Sequence, residues 1–317
     1  MRNAKRDDGK FRSGRSEKCQ LRQYDSVERR FTLCMESVGK FTLFGGKGIY
    51  ACLKVYIYIN IETMKKLGFC FLIYDVIHQE ELWNLFFKNV STDKYSIYIH
   101  YKTNIPLKYF EKFKLNTCIE TKYCDISIVH AHNLLFKKAL EDGCDKIISL
   151  SQSCIPLKSF DHIYDFLTKD DFCHFNICPH TQCFPNCNNL LRFYDKNTIQ
   201  KSSNWFILNR KVCDIVVNYD KSKINHEYSG IYCPEEIYFI TTVFKNNLTT
   251  EIITTPNLAN GATTFTNWSD MDYKYPSTHG LKNYTEISDE ELRYLRDSPC
   301  LFGRKFHIKG LEDRIVF

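Results

Sequence analysis

Two adjacent carboxylates, Glu235 and Glu236, follow Pro234 inside the run Tyr232–Phe244, and their setting could support proton transfer. Proline is welcome in the first turn of a helix, because its missing N–H would be unpaired there anyway. Ile237, Ile240, Thr241 and Phe244 then recur at helical spacing, so a packed face follows directly. The helix dipole favours ionised carboxylates in that first turn. A fixed carboxylate at the start of a packed helix is what a general base requires. The same pair could instead cap the helix, although Cys233 at the apparent N-cap leaves no Ser or Thr for a reciprocal capping box. Both readings stand at this point.

Other clusters carry other chemistry. Cys173, His174, Cys178, His180, Cys183 and Cys187 crowd together, and thiolate with imidazole can hold Zn²⁺. Their spacing lacks the CxxC knuckle, so a loop of free or paired cysteines is the competing reading. Ser269-Asp270-Met271-Asp272 contains an Asp-x-Asp, a pattern that holds a divalent metal in many nucleotide-sugar enzymes. There it follows an early strand, whereas here it comes late. Gly45-Gly46-Lys47-Gly48 lacks both the preceding strand and the Gly-Lys-Ser/Thr ending of a phosphate loop.

A chain of 317 residues, 44% hydrophobic and 15% aromatic, is globular and makes one large α/β domain or two smaller ones. Much of the net charge of +6 comes from Arg2, Lys5, Arg6, Lys10, Arg12 and Arg15. The body has no basic stripe interleaved with aromatics, so nucleic acid is not an expected partner. Fifteen cysteines, among them Cys70, Cys144, Cys154 and Cys213, fit buried thiols in a reducing compartment, so a cytoplasmic setting is expected over a Golgi membrane. Asn89, Asn247, Asn267 and Asn283 begin glycosylation sequons, which chance also produces in an Asn-rich chain. The best apolar run, Ile49–Ile61, contains Lys54 and falls short of the ~20 residues of a membrane span. Membrane association therefore has no full-length span to support it.

Residues 1–63 differ in character from the rest and are expected to be an extension, with the catalytic domain over 64–317. From Met64 the rhythm becomes strand, helix, strand. Strands are expected at Leu67–Tyr74, Tyr95–His100 and Lys146–Leu150. Helices are expected around Leu82, Leu85 and Phe86, then at Leu107–Phe113, Ile126–Leu140 and Phe160–Leu167. This alternation implies βαβ units and a mostly parallel sheet, with ligands at the carboxyl ends of its strands. Asp75 and His100, at two strand ends, are candidates to line a nucleotide pocket, or are surface loop residues. Further on, Phe172–Ile177, Trp205–Leu208 and Thr263–Trp268 read as strands, and Arg210–Asn218 and Asp289–Arg296 as helices.

Seven segments, taken in order, resemble the core-2/I-branching glycosyltransferases, glycosyltransferase family 14, in the divergent branch found in plants and some large viruses. They are Phe69–Asp75, Tyr95–His100, Ser127–Ala131, Ile148–Leu157, Ser203–Arg210, Cys233–Glu236 and Leu301–Phe306. The resemblance implies a GT-A type, Rossmann-like fold and an inverting transfer of a sugar, GlcNAc or xylose, from a UDP-sugar donor to a hydroxyl of a glycan or glycoprotein acceptor. It assigns the general base to the second acidic residue of the Pro-acidic-Glu motif, here Glu236. Lys305, with Arg304, would neutralise the departing diphosphate without a divalent metal, since a nearby cation stabilises the growing negative charge. Asp75 and His100 would line the uridine side. Ser151, Ser153, Cys154, Trp205 and Glu235 would line the sugar and acceptor pocket. The chain departs from the branching enzymes over Thr263–Trp268, where they carry a second diphosphate-binding arginine and this chain has no basic residue. Lys274 or Lys282 would have to substitute, and the acceptor-binding residues have no counterpart. Two alternatives are a metal-dependent transferase using Asp270 and Asp272, and a non-catalytic glycan-binding protein with a Cys/His zinc loop.

Overall fold

Apolar runs broken by polar turns become short strands and helices in the computed structural model, which describes residues 64–184, 186–253, 263–270 and 273–317. The expectations for residues 1–63 and for Asp272 lie outside the described residues. In chain order the strands are β1 (Leu67–Ile73), β2 (Tyr95–Tyr101), β3 (Lys146–Ser151), β4 (Ile155–Pro156), β5 (Cys173–His174), β6 (Ile207–Asn209), β7 (Ile252–Ile253), β8 (Thr264–Thr266) and β9 (Phe302–Arg304). The helices are α1 (Glu80–Phe87), α2 (Ile126–Glu141), α3 (Phe160–Thr168), α4 (Arg210–Val217), α5 (Lys221–Glu227), α6 (Glu235–Lys245) and α7 (Asp289–Asp297).

The main sheet runs β2-β1-β3-β6-β5-β7, and a small second sheet runs β4-β9-β8. β1 is parallel to both β2 and β3, β5 is parallel to β7, and β6 alone runs against its neighbours β3 and β5. This is the mixed α/β, mostly parallel arrangement expected, and it is consistent with a GT-A-like nucleotide-sugar fold. Because side chains alternate along a strand, β1 feeds two cores. Cys70 faces Val129, Leu135 and Phe239 on one side, while Phe69 and Phe71 face Trp83, Phe86 and Phe160 on the other. A third cluster, with Tyr284, Leu292 and Phe306, packs the small sheet.

Local chemistry fixes the ends of these elements. The Asp125 carboxylate accepts from Ser127 N at 3.0 Å to cap α2, and Asn209 Oδ1 accepts from Val212 N at 2.8 Å to cap α4. Gly68 in β1 sits where the packing is tight. A Cβ there would stand 3.1 Å from Cys144 Sγ and 3.2 Å from Ala139 Cβ, at the carboxyl end of α2.

Three expectations change. The helix over Leu107–Phe113 is only a 3-10 turn, Glu111–Phe113. Its backbone donors go elsewhere: Glu80 takes the N–H groups of Lys108, Tyr109 and Phe110 at 3.1, 2.6 and 2.9 Å. The strand over Phe172–Ile177 contracts to two residues, and α1 buries Trp83 and Phe87 beside Leu82 and Phe86 while Leu85 is partly exposed. No described helix is long and apolar enough to cross a membrane.

Candidate active site

The start of α6 is built from both sides. Cys233 is joined to Cys124 by a disulfide across 109 residues, a pairing that the reading of scattered thiols did not single out. Both half-cystines have left-handed backbone, φ 52° at Cys124 and 51° at Cys233, and Cys233 N donates to Cys124 O at 3.3 Å. On the other side, the segment before β6 is stitched along the helix. Ser202 N donates to Glu236 O at 2.8 Å, and Gln200 N donates to Thr241 Oγ1 at 3.1 Å.

Between these supports the two glutamates diverge, as successive helical positions must at about 100° apart. Glu235 turns inward. It is 6% exposed, and its carboxylate lies within 4.8 Å of the sulfurs of Cys124 and Cys233. Its Oε2 is buried with no hydrogen-bond partner, and Asn204 is among the neighbours that act on its charge. Burial pushes its pKa up to about 7, with the Glu236 charge adding to the rise. Glu236 turns outward and is partly exposed, with Lys201 Nζ 3.2 Å from its Oε2. Burial pulls the Lys201 ammonium down, but the Glu236 carboxylate outweighs it and the net shift is upward. The helix N-cap is Pro234 rather than Cys233, and no side chain of that residue caps it.

A cationic strip begins at the end of β9, where Arg304 feels the charge of Glu236. The Arg304 guanidinium lies 3.8 Å over the Trp205 ring, and its Nε is buried without a hydrogen-bond partner. Burial draws Arg304 down to about 10, opposed by Cys154 and by Glu236, so it stays charged near neutrality. Lys305 follows, lowered by burial and then by the charge of Arg304. The His307 and His78 rings are 4.4 Å apart, and burial lowers both. Asp75 acts on His78 with the opposite sign, so the strip reaches the end of β1.

The loop after β3 locks this strip in place. Ser153 O accepts from Phe306 N at 2.9 Å, and Lys305 O accepts from Tyr284 N at 2.7 Å. Ser151 Oγ lies 3.3 Å from Ser153 Oγ and 3.3 Å from Cys154 Sγ. All three are buried. Gln152, which sequence reasoning did not single out, joins the loop to β1: its backbone O accepts from His78 N at 2.9 Å and its Oε1 from Tyr74 N at 3.0 Å.

The remaining candidates fall in different places. Asp75 is partly exposed, with Oδ1 accepting from Val76 N at 2.7 Å. His100 is neither a surface residue nor the last of its strand. It lies within β2 opposite Leu72, fully buried, and its Nε2 accepts from Ile119 N at 3.0 Å. Burial lowers it to about 4, so its ring is neutral. Lys282 is committed to Glu291 at 2.6 Å, and Lys274 lies over the Tyr275 ring. Lys201, Asn204 and His307 were missed. The signal for the first two was their position beside or inside the matched segment Ser203–Arg210.

The metal-binding alternatives gain little. Cys173 and His174 are in β5, buried in the sheet. Among the described residues, the metal-ligand atoms of Cys178, His180, Cys183 and Cys187 do not converge; the trio that does is Cys124, Cys233 and Glu235, two of which are already bridged. Asp270 is exposed on a turn. Asn267, one of the sequon asparagines, is buried and donates to Tyr275 O at 2.7 Å, which leaves no room for a glycan.

Residues 67–296 match the sequence model of the Core-2/I-Branching enzyme family. This chain belongs to that family. Its members are glycosyltransferases, in keeping with the expectation from the seven segments. A curated relative, Glycosyltransferase BC10 of Oryza sativa subsp. japonica, is 22% identical over 160 residues, which is 48% of this chain and 40% of the rice protein. The matched stretch thus spans less than half of that relative's length.

Proposed function

We propose that this chain is an inverting, metal-independent glycosyltransferase that moves a sugar, GlcNAc or xylose, from a UDP-sugar to a hydroxyl of a glycan or glycoprotein. The observation that carries the reading is Glu236 at the rim of α6, partly exposed, with Arg304 within its electrostatic reach and Lys305 next in the chain. An acceptor hydroxyl has a pKa far above neutral, so attack needs a carboxylate that takes the proton as the new bond forms. Glu236 is the accessible carboxylate for that step, and inversion follows from direct in-line attack at the anomeric carbon. The bond to UDP breaks at the same time, and negative charge grows on the diphosphate. Arg304 and Lys305 are preorganised cations for that charge, the service a divalent metal gives in other enzymes. Asp75 lies on the uridine side of this scheme, and His100 supports that side from within the sheet.

A second reading makes Glu235 the base, because a carboxyl pushed up to about 7 is poised for proton transfer near neutrality. Its burial against the disulfide argues for the supporting role instead. The deciding experiment is UDP release from a panel of UDP-sugars, with and without acceptor, in EDTA and in Mn²⁺. Turnover undiminished by EDTA and lost in Glu236→Gln is the expected result. Dependence on Mn²⁺ would transfer the reading to a metal site involving Asp270.

A further inference from the structure

Two of the most exposed aromatic residues stand beside the candidate base. Tyr123 is 87% exposed and Tyr232 is 63% exposed. Each directly precedes a half-cystine, so the bridge between Cys124 and Cys233 lays two Tyr-Cys dipeptides side by side. The hydrogen bond from Cys233 N to Cys124 O at 3.3 Å holds their backbones in contact. The left-handed φ at both cysteines turns the chain sharply just after each ring. The groups acting most strongly on Tyr123 are Tyr232 and then the carboxylates of Glu236 and Glu235. Arg304 in turn feels Glu236. Glu236 therefore has cations for a diphosphate among its neighbours and a pair of tyrosines as another.

We propose that Tyr123 and Tyr232 form a clamped aromatic ledge for the sugar ring of the acceptor, which brings its hydroxyl to Glu236. The occupant is a pyranose, and this rests on the transferase reading above. A pyranose has an apolar C–H face and a polar rim, and a tyrosine offers an apolar face and a polar tip to match. Singly exposed aromatics need no explanation, but two brought together by a disulfide at the edge of a site do. The bridge and the backbone hydrogen bond fix where the two rings are rooted, so less freedom is lost on contact than from two separate loops.

The test separates this ledge from the chemistry. Saturation-transfer NMR on the full chain would use methyl β-galactoside, methyl β-xyloside and methyl β-N-acetylglucosaminide as probes, with UDP present. The expected result is signal from the C–H face of at least one glycoside, weakened about tenfold in the Tyr123→Ala/Tyr232→Ala variant and kept in the Tyr→Phe pair. UDP-sugar affinity, read by calorimetry, should stay within about twofold in the Ala pair. No signal from any glycoside in the wild type, or equal signal in the Ala pair, overturns the ledge. An equal loss of UDP-sugar affinity also overturns it, by moving the rings to the donor side. Both side chains are exposed, so truncation leaves the core intact, and each single Ala variant should show part of the loss. Glycoside binding needs no turnover: an inactive wild type that still binds through the ledge would fail the transferase reading alone.

Discussion

Lys201 Nζ stands 3.2 Å from Glu236 Oε2, and the neighbouring Ser202 N–H holds the Glu236 carbonyl at 2.8 Å. The side-chain pair is thus set by a backbone pair one residue away, which fixes how the carboxylate is presented. A base gains from such restraint because small misplacements are costly to rate.

Lys201→Met should therefore lower kcat by about tenfold while UDP affinity changes little, the exposure of the pair limiting the effect. Lys201→Arg should recover part of the loss. Steady-state kinetics of both variants check this, and unchanged kcat in Lys201→Met would leave the ion pair a surface ornament.

Glu236→Gln keeps shape and hydrogen bonding but cannot accept a proton, so transfer should fall at least ~10²-fold with UDP binding near wild type. Glu235→Gln should do much less. Reversal of the two effects would make the buried glutamate the base.

Lys305→Ala should cost on the order of 10²-fold in kcat, as losing one preorganised charge stabiliser does. Arg304→Ala should weaken UDP binding and also lower the melting temperature, because the guanidinium is stacked on the Trp205 ring. Trp205→Leu, which removes the ring face and keeps the charge, should resemble it in binding. Calorimetry and thermal melts separate these outcomes.

Glu235 also predicts a pH effect on stability. Its folded pKa is raised to about 7 by burial, whereas an unfolded glutamate titrates near ~4.3. Its contribution is therefore fully present below pH ~4.3 and is lost as pH rises through about 7. The stability of wild type relative to Glu235→Gln should fall by on the order of 3 kcal/mol between those limits. Urea unfolding of both proteins across pH 4.5 to 8 measures the difference; parallel curves would mean the carboxyl is not buried in solution.

Much of this fold was legible because its first half repeats a simple pattern. The apolar runs of β1, β2 and β3 and the period of α2 are each long enough to declare themselves. The small sheet was not legible in full, since β4 and β9 are two and three residues long and show no periodicity. The failed helix before Phe113 shows a second limit: Glu80, almost thirty positions earlier, claims the donors. Within the site, Glu236 and Lys305 could be named from motifs, whereas Lys201 and the Cys124–Cys233 bridge depend on partners far away in sequence. Pairings of that kind have no local signature.

Gly68 carries a consequence for alignment at a distance. It lies where β1 begins, and any side chain there would press on Ala139 and Cys144 at the far end of α2. That helix has 16 residues, a rod of about 24 Å, and Cys124 sits just before its other end. A methyl group added at Gly68 would make Ala139 and Cys144 give by a few tenths of an ångström, at one end of a helix whose other end leads through Cys124 to Cys233 and Glu235. The missing side chain of a glycine thus acts as a gauge block for a site it never touches.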